Sequence, residues 1–133
     1  MEPRWITSDA VGLGIIGMAA ILRGISYLPN VVNQGRKAAH FLEELAAPAM
    51  WSWVWLAVGV LCLVAIPVRR VMPPAVGAGI GLHFMWAMSF IMSGGRGWVT
   101  AIGYGAITLL ALWAFGRGRQ QPHREVPDFK GAK

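Results

Sequence analysis

The chain has 133 residues, 56% of them hydrophobic and only 14% charged, with a formal charge of +6. Soluble domains carry about 25% charged residues, so water is excluded as the main solvent of this surface. The basic balance does not point to nucleic acid, because the cations border apolar segments and no polar domain carries them. Anionic lipid headgroups explain that placement, and a bilayer is the expected partner. Cys62 is the only cysteine, which excludes an intrachain disulfide and a cysteine metal cluster.

The first apolar stretch covers residues 10–28, with Ser8 and Asp9 as N-cap candidates and Pro29-Asn30 as its stop. It is long enough to cross a hydrocarbon core of about 30 Å. Glu2, Asp9 and the lack of an A-x-A site make it read as a retained span rather than a cleaved signal peptide. Arg23 near its end is expected to extend to the interface. Gly12, Gly14 and Gly17 have G-x-G-x-x-G spacing, but no strand precedes them, so a dinucleotide site is rejected.

Residues 30–48 form the only substantial loop. Within it, 36–46 has helical periodicity: Ala38, Phe41, Leu42 and Leu45 share one face, and Arg36, Lys37, His40, Glu43 and Glu44 lie mostly on the other. The expectation is a short amphipathic helix that lies in the interface or caps the bundle, with its apolar face towards lipid and its charges solvated. His40, Glu43 and Glu44 are too few ligands for a metal site, and none is expected.

Three more apolar stretches follow at 49–68, 75–93 and 98–115, separated by Arg69-Arg70 with Pro73-Pro74 and by Gly94-Gly95-Arg96-Gly97. The fold expected is all-α: four transmembrane helices in a mainly antiparallel bundle, residues 1–116, joined by short turns. Residues 117–133 form a basic polar tail. Trp5, Trp51, Trp53, Trp98 and Trp113 fall near the ends of apolar blocks and, with Arg69 and Arg70, read as membrane-interface anchors. Four spans put both termini on one side with eight cations (Arg4, Arg69, Arg70, Arg117, Arg119, Arg124, Lys130 and Lys133), against Arg23, Arg36, Lys37 and Arg96 on the other. The positive-inside bias then predicts cytoplasmic termini in a bacterial inner membrane.

The third span carries the clearest pattern. Ala75, Gly79, His83 and Ala87 recur every four residues, Gly77 and Gly81 form a GxxxG beside them, and Gly105 adds a small residue in the fourth span. Small residues at this spacing let helix backbones approach closely, within the chain or between copies. His83 is the one ionisable group expected near the midplane, a candidate switch or relay, or a packing residue bonded to Ser89, Thr108 or a backbone carbonyl. A haem held by two histidines would need a second deep imidazole, and His40 and His123 lie outside the spans. No cofactor and no catalytic set is expected, so the chain does not read as an enzyme.

Small multidrug-resistance exporters share the length and span count, but their mechanism rests on a Glu in the first span. Here that span offers Arg23 and no interior acid. The glycines at 77, 79, 81, 103 and 105, with His83, Thr108 and the tail from Arg117, resemble phage holins and the small multispan membrane proteins of actinobacterial phages. That resemblance implies a homo-oligomer without an active site, assembling into a pore or lesion for host cell lysis. The alternative is a non-catalytic accessory or anchor subunit of a larger membrane assembly.

Overall fold

The computed structural model describes residues 8–118, which form five α-helices and one 3-10 turn. Helix α1 covers Ser8–Ser26, α2 Phe41–Leu45, α3 Pro48–Val64, α4 Met72–Met92 and α5 Gly97–Gly118, with the 3-10 turn at Arg69–Val71. No strand occurs among the described residues. Trp5 and nearly all of the basic tail lie outside them.

Three helical stretches, Asp9–Ser26, Arg69–Met92 and Gly97–Gly116, are long and apolar enough to cross a membrane. Helix α3 is apolar but has only 17 residues. It ends at Val64, earlier than the expected 68, because Pro67 disfavours helical backbone at Ile66 and removes a donor. Helix α4 starts earlier than expected, since Pro73 and Pro74 sit in its first turn, where no intrahelical N–H is needed. Between α4 and α5 the chain reverses through Gly94 and Gly95, at φ 69° and 56°, a left-handed conformation that glycine adopts without a Cβ clash.

The long helices meet at bare backbone. A Cβ on Gly17 would lie 3.1 Å from the Gly59 carbonyl oxygen, and one on Gly24 3.0 Å from the Leu56 nitrogen. Helices α1 and α3 therefore run in opposite directions with glycine at both contacts, and the Ser52 hydroxyl donates to the Gly24 carbonyl oxygen at 2.8 Å. Gly79 of α4 reaches the same seam, where a Cβ would lie 2.6 Å from Ile16 Cγ2 and 3.1 Å from Cys62 Sγ. Helix α5 packs against α4, with Phe90 stacked on Tyr104, and lies along α1 at Gly12, Ala114 and Phe115. Two buried clusters result: Leu13, Ile16, Cys62, Ala65, Ala75 and Ala111 at one end, and Ala20, Tyr27, Trp55, Leu82, Trp86, Phe90 and Ala101 towards the other.

The loop departs most from expectation. Helix is confined to Phe41–Leu45, and His40 before it is extended, at φ −159° and ψ 166°. Residues 36–40 leave the helical path because Arg36, the Ala39 N–H and His40 all converge on the carboxylate of Glu43. The expected polar face is divided: His40 and Glu43 are buried rather than solvated, whereas Lys37 and Glu44 are exposed. Phe41 and Leu45 lie on the outer surface.

Candidate functional site

Glu43 is the centre of the polar cluster. Its side chain is 2% exposed, and it is reached from the end of α1 and from the loop before α2. The Tyr27 hydroxyl, just beyond α1, donates a short hydrogen bond to Oε1. Arg36 Nη2 donates to the same oxygen at 2.8 Å, and the Ala39 N–H donates to Oε2 at 2.8 Å. Arg23 Nη2 lies 4.0 Å from Oε1 and His40 Nε2 3.5 Å from it.

The surrounding groups are themselves tied down. Tyr27 accepts from Arg23 at 2.8 Å and from Trp86 Nε1 at 3.4 Å, so its oxygen has three partners. The Arg23 guanidinium stands over the Tyr27 ring at 4.5 Å and the Tyr104 ring at 5.6 Å. It turns inward to two aromatic faces instead of extending outward as its sequence position suggested. The Ser89 hydroxyl oxygen accepts from the Leu42 N–H at 3.0 Å and lies 2.8 Å from His40 Nδ1. Ser89 thus links the His40 ring to the Leu42 backbone, and His40 Nε2 faces Glu43 without completing a hydrogen bond. Trp51 Nε1 donates to the Leu42 carbonyl at 2.9 Å, and its ring meets Trp86 edge-on. Residues 27–47 thus form a cap sewn to α1, α3 and α4.

Burial opposes ionisation of Glu43, but the His40 ring beside it and the hydrogen bonds from Arg36, Ala39 and Tyr27 outweigh it. They hold the carboxyl well below the usual carboxylate range. The same pairing raises Arg36 above its ordinary value, chiefly through its hydrogen bond to Glu43. With two donors on Oε1 and one on Oε2, the ionised form is the favoured one. Chemically, the cluster is a lock.

The residues singled out from sequence divide into two groups. Ala75, Gly79, His83 and Ala87 are buried on the inner face of α4. Gly77, Gly81 and Gly105 have no atom within 4 Å of where a Cβ would stand, so no close approach uses them within the chain. His83 Nδ1 lies 2.8 Å from the Gly79 carbonyl oxygen, which places its proton on Nδ1. Its ring is closed in by Trp55 at 5.0 Å and Tyr104 at 6.2 Å. Of the partners considered for it, the two side chains are engaged elsewhere, Ser89 with His40 and Thr108 with the Tyr104 carbonyl, and the carbonyl it meets belongs to its own helix. Trp53, Trp98, Trp113, Arg69 and Arg70 are exposed, whereas Trp51 is half-buried under the cap. Among the described residues, no group of three or more His, Cys, Asp or Glu is placed to hold a metal ion.

Glu43 was the residue that sequence reasoning missed. A signal for it existed. Arg23 and Tyr27 lie four apart at the end of an apolar helix, and an arginine held there needs a counter-ion. Beyond Glu2 and Asp9 at the opposite end and the acids of the tail, only Glu43 and Glu44 remain. No family model, characterised protein or solved structure matches this chain.

Proposed function

We propose that the chain is a non-catalytic integral membrane protein that crosses a bacterial inner membrane four times, both termini cytoplasmic, and self-associates into a holin-like lesion. Helix α3, at 17 residues, is at the short end of the 17–25 that span a bilayer. The cation bias read from the sequence orients the termini. The observation that carries self-association is the outward face of α4. Gly77 and Gly81, one turn apart, meet open space beside exposed Phe84, Met85 and Met88, whereas Gly79 on the opposite face is used inside. A GxxxG pair unspent within the chain is available to a second copy.

A proton-coupled carrier is disfavoured on a new ground. The one buried carboxylate among the described residues is held ionised by its donors, so it does not cycle protons at working pH. The second reading, an accessory or anchor subunit, is favoured by the same cluster: polar groups point inward and leave an apolar outer surface suited to a larger partner. The test is regulated expression in bacteria with a membrane-potential dye and cysteine crosslinking at Gly77→Cys. The lesion reading expects crosslinked oligomers and abrupt depolarisation. Oligomers without depolarisation at high expression would leave the accessory reading, and neither oligomer nor depolarisation would remove self-association altogether.

A further inference from the structure

The cap is amphipathic in the opposite sense from a loop that faces water. His40 and Glu43 are 2% and 6% exposed, whereas Phe41 and Leu45 are 53% and 61% exposed. In water this arrangement is doubly unfavourable, since it buries charge and exposes hydrocarbon. Against acyl chains both terms reverse for the outer side chains, and burial inside the protein becomes the only place for the charges. We infer that residues 38–47 dip shallowly into the bilayer, with Phe41 and Leu45 seated among acyl chains and the Glu43 cluster sealed behind them. The inference rests on the membrane reading above.

Three further observations support lipid as the occupant. The first is level. His40 and Leu42 bond to Ser89, and α4 continues beyond Ser89 to Met92. Phe41 borders one cleft with Met92, Ser93 and Glu44, and Met92 is itself 74% exposed. Phe41 therefore stands at the level of the exposed end of α4, with Glu44 bordering the same cleft. The second is length. At 1.5 Å per residue, α3 rises about 25 Å, roughly 5 Å short of a hydrocarbon core of about 30 Å, and a dipped cap supplies the missing depth where α3 begins.

The third is backbone satisfaction. Non-helical backbone is tolerated at membrane depth only where protein groups satisfy it. Here the Ala39 N–H goes to Glu43, the Leu42 N–H to Ser89 and the Ala49 N–H to Gln34 Oε1, while Trp51 occupies the Leu42 carbonyl. Glu44 limits the depth. It is exposed and borders a polar cleft with Gln34 and Arg36, so the headgroup level runs along that side, with exposed Lys37.

Spin labels on single-cysteine variants of the full chain, in a Cys62→Ser background, test this in phosphatidylcholine–phosphatidylglycerol vesicles. Labels go at Lys37→Cys, Phe41→Cys, Glu44→Cys and Leu45→Cys, with Leu109→Cys on exposed α5 as the lipid reference. The expected result is oxygen contact at Phe41 and Leu45 matching Leu109, with contact to a water-soluble nickel complex several-fold below Lys37 and Glu44. Nickel contact equal at all four loop positions, with Leu109 still in lipid, would place the cap in water and overturn the inference alone. Low contact with both reagents at Phe41 and Leu45 would mean a protein neighbour covers them, which also overturns it. Nickel contact at Leu109 itself would defeat the membrane reading together with the cap.

Discussion

The two ends of the helices are held together by different physics. At one end Leu13, Ile16, Cys62, Ala75 and Ala111 pack without an ion pair, around a seam where Gly17, Gly59 and Gly79 bring backbones together. At the other, Arg23, Tyr27, Arg36, His40 and Ser89 converge on or beside Glu43 beneath Trp51 and Trp86. In lipid there is no hydrophobic drive to push helices together, so contact must come from close packing or from hydrogen bonds. This chain relies mainly on the first where helices meet helices, with Ser52 donating to Gly24 across α1 and α3, and on the second where an irregular segment must be fixed to them. A glycine seam tolerates no added bulk; an ion cluster tolerates no missing partner.

The largest expected effect is therefore at Glu43. Glu43→Ala removes the anion and leaves the buried Tyr27 hydroxyl and the two half-buried guanidiniums of Arg23 and Arg36 without it, a combined loss of about 3–5 kcal/mol. Unfolding in detergent micelles should show this, with Glu43→Gln milder because it still accepts hydrogen bonds. Acid probes the same charge. Because the folded carboxyl is held below its unfolded value, its contribution is complete above an unfolded pKa of about 4.3. It is lost as pH falls towards the folded value. Stability attributable to Glu43 should be flat from about pH 5 to 8 and decline below about pH 4, and the decline should vanish in Glu43→Gln.

The seam should respond to bulk instead. In Gly59→Leu the new side chain meets backbone atoms, the Gly17 oxygen at 2.9 Å and the Ile21 nitrogen at 3.0 Å, as well as the Ile21 side chain. Backbone cannot rotate away, so the loss should be at the upper end of the 1–3 kcal/mol, roughly, that overpacking costs, or beyond it. Gly79→Leu presses on the side chains of Ile16 and Cys62, which can shift, so its loss should be smaller. The order Gly59 before Gly79 in a protease-resistance series checks this, and the reverse order would misplace the seam.

Two outward substitutions sharpen the contrast from the other side. Gly77→Leu adds a Cβ with no atom of the chain within 4 Å. It should leave monomer unfolding unchanged within about 0.5 kcal/mol while reducing crosslinked oligomer several-fold. Leu112→Ala, at a residue 51% exposed on α5, should change both readouts least.

The long helices were legible from residues 10–28, 75–93 and 98–115 because uninterrupted apolar length is a strong signal, and the inward row Ala75, Gly79, His83 and Ala87 followed from its four-residue spacing. Periodicity could not tell which glycines meet a neighbour: Gly77 and Gly81 match GxxxG yet face outward, whereas Gly17 and Gly24 of α1, seven apart, make the contacts. The cap was hidden for a related reason. A helical wheel assigns faces on the premise that charge seeks water, and around Glu43 that premise is inverted by Arg23, Tyr27 and Ser89, which are distant in sequence. Only the pairing requirement of Arg23 pointed there.

Hydrogen exchange of the backbone amides in residues 37–47, with the full chain in lipid vesicles, tests the central claim most directly. If Glu43 locks the cap, the Ala39 and Leu42 amides, bonded to Glu43 and Ser89, exchange slowly in the unmodified chain. In Glu43→Ala they should exchange orders of magnitude faster, with the interior of α4 unchanged. Fast exchange of both amides in the unmodified chain, or rates that Glu43→Ala does not alter, would contradict a cap held by a buried carboxylate.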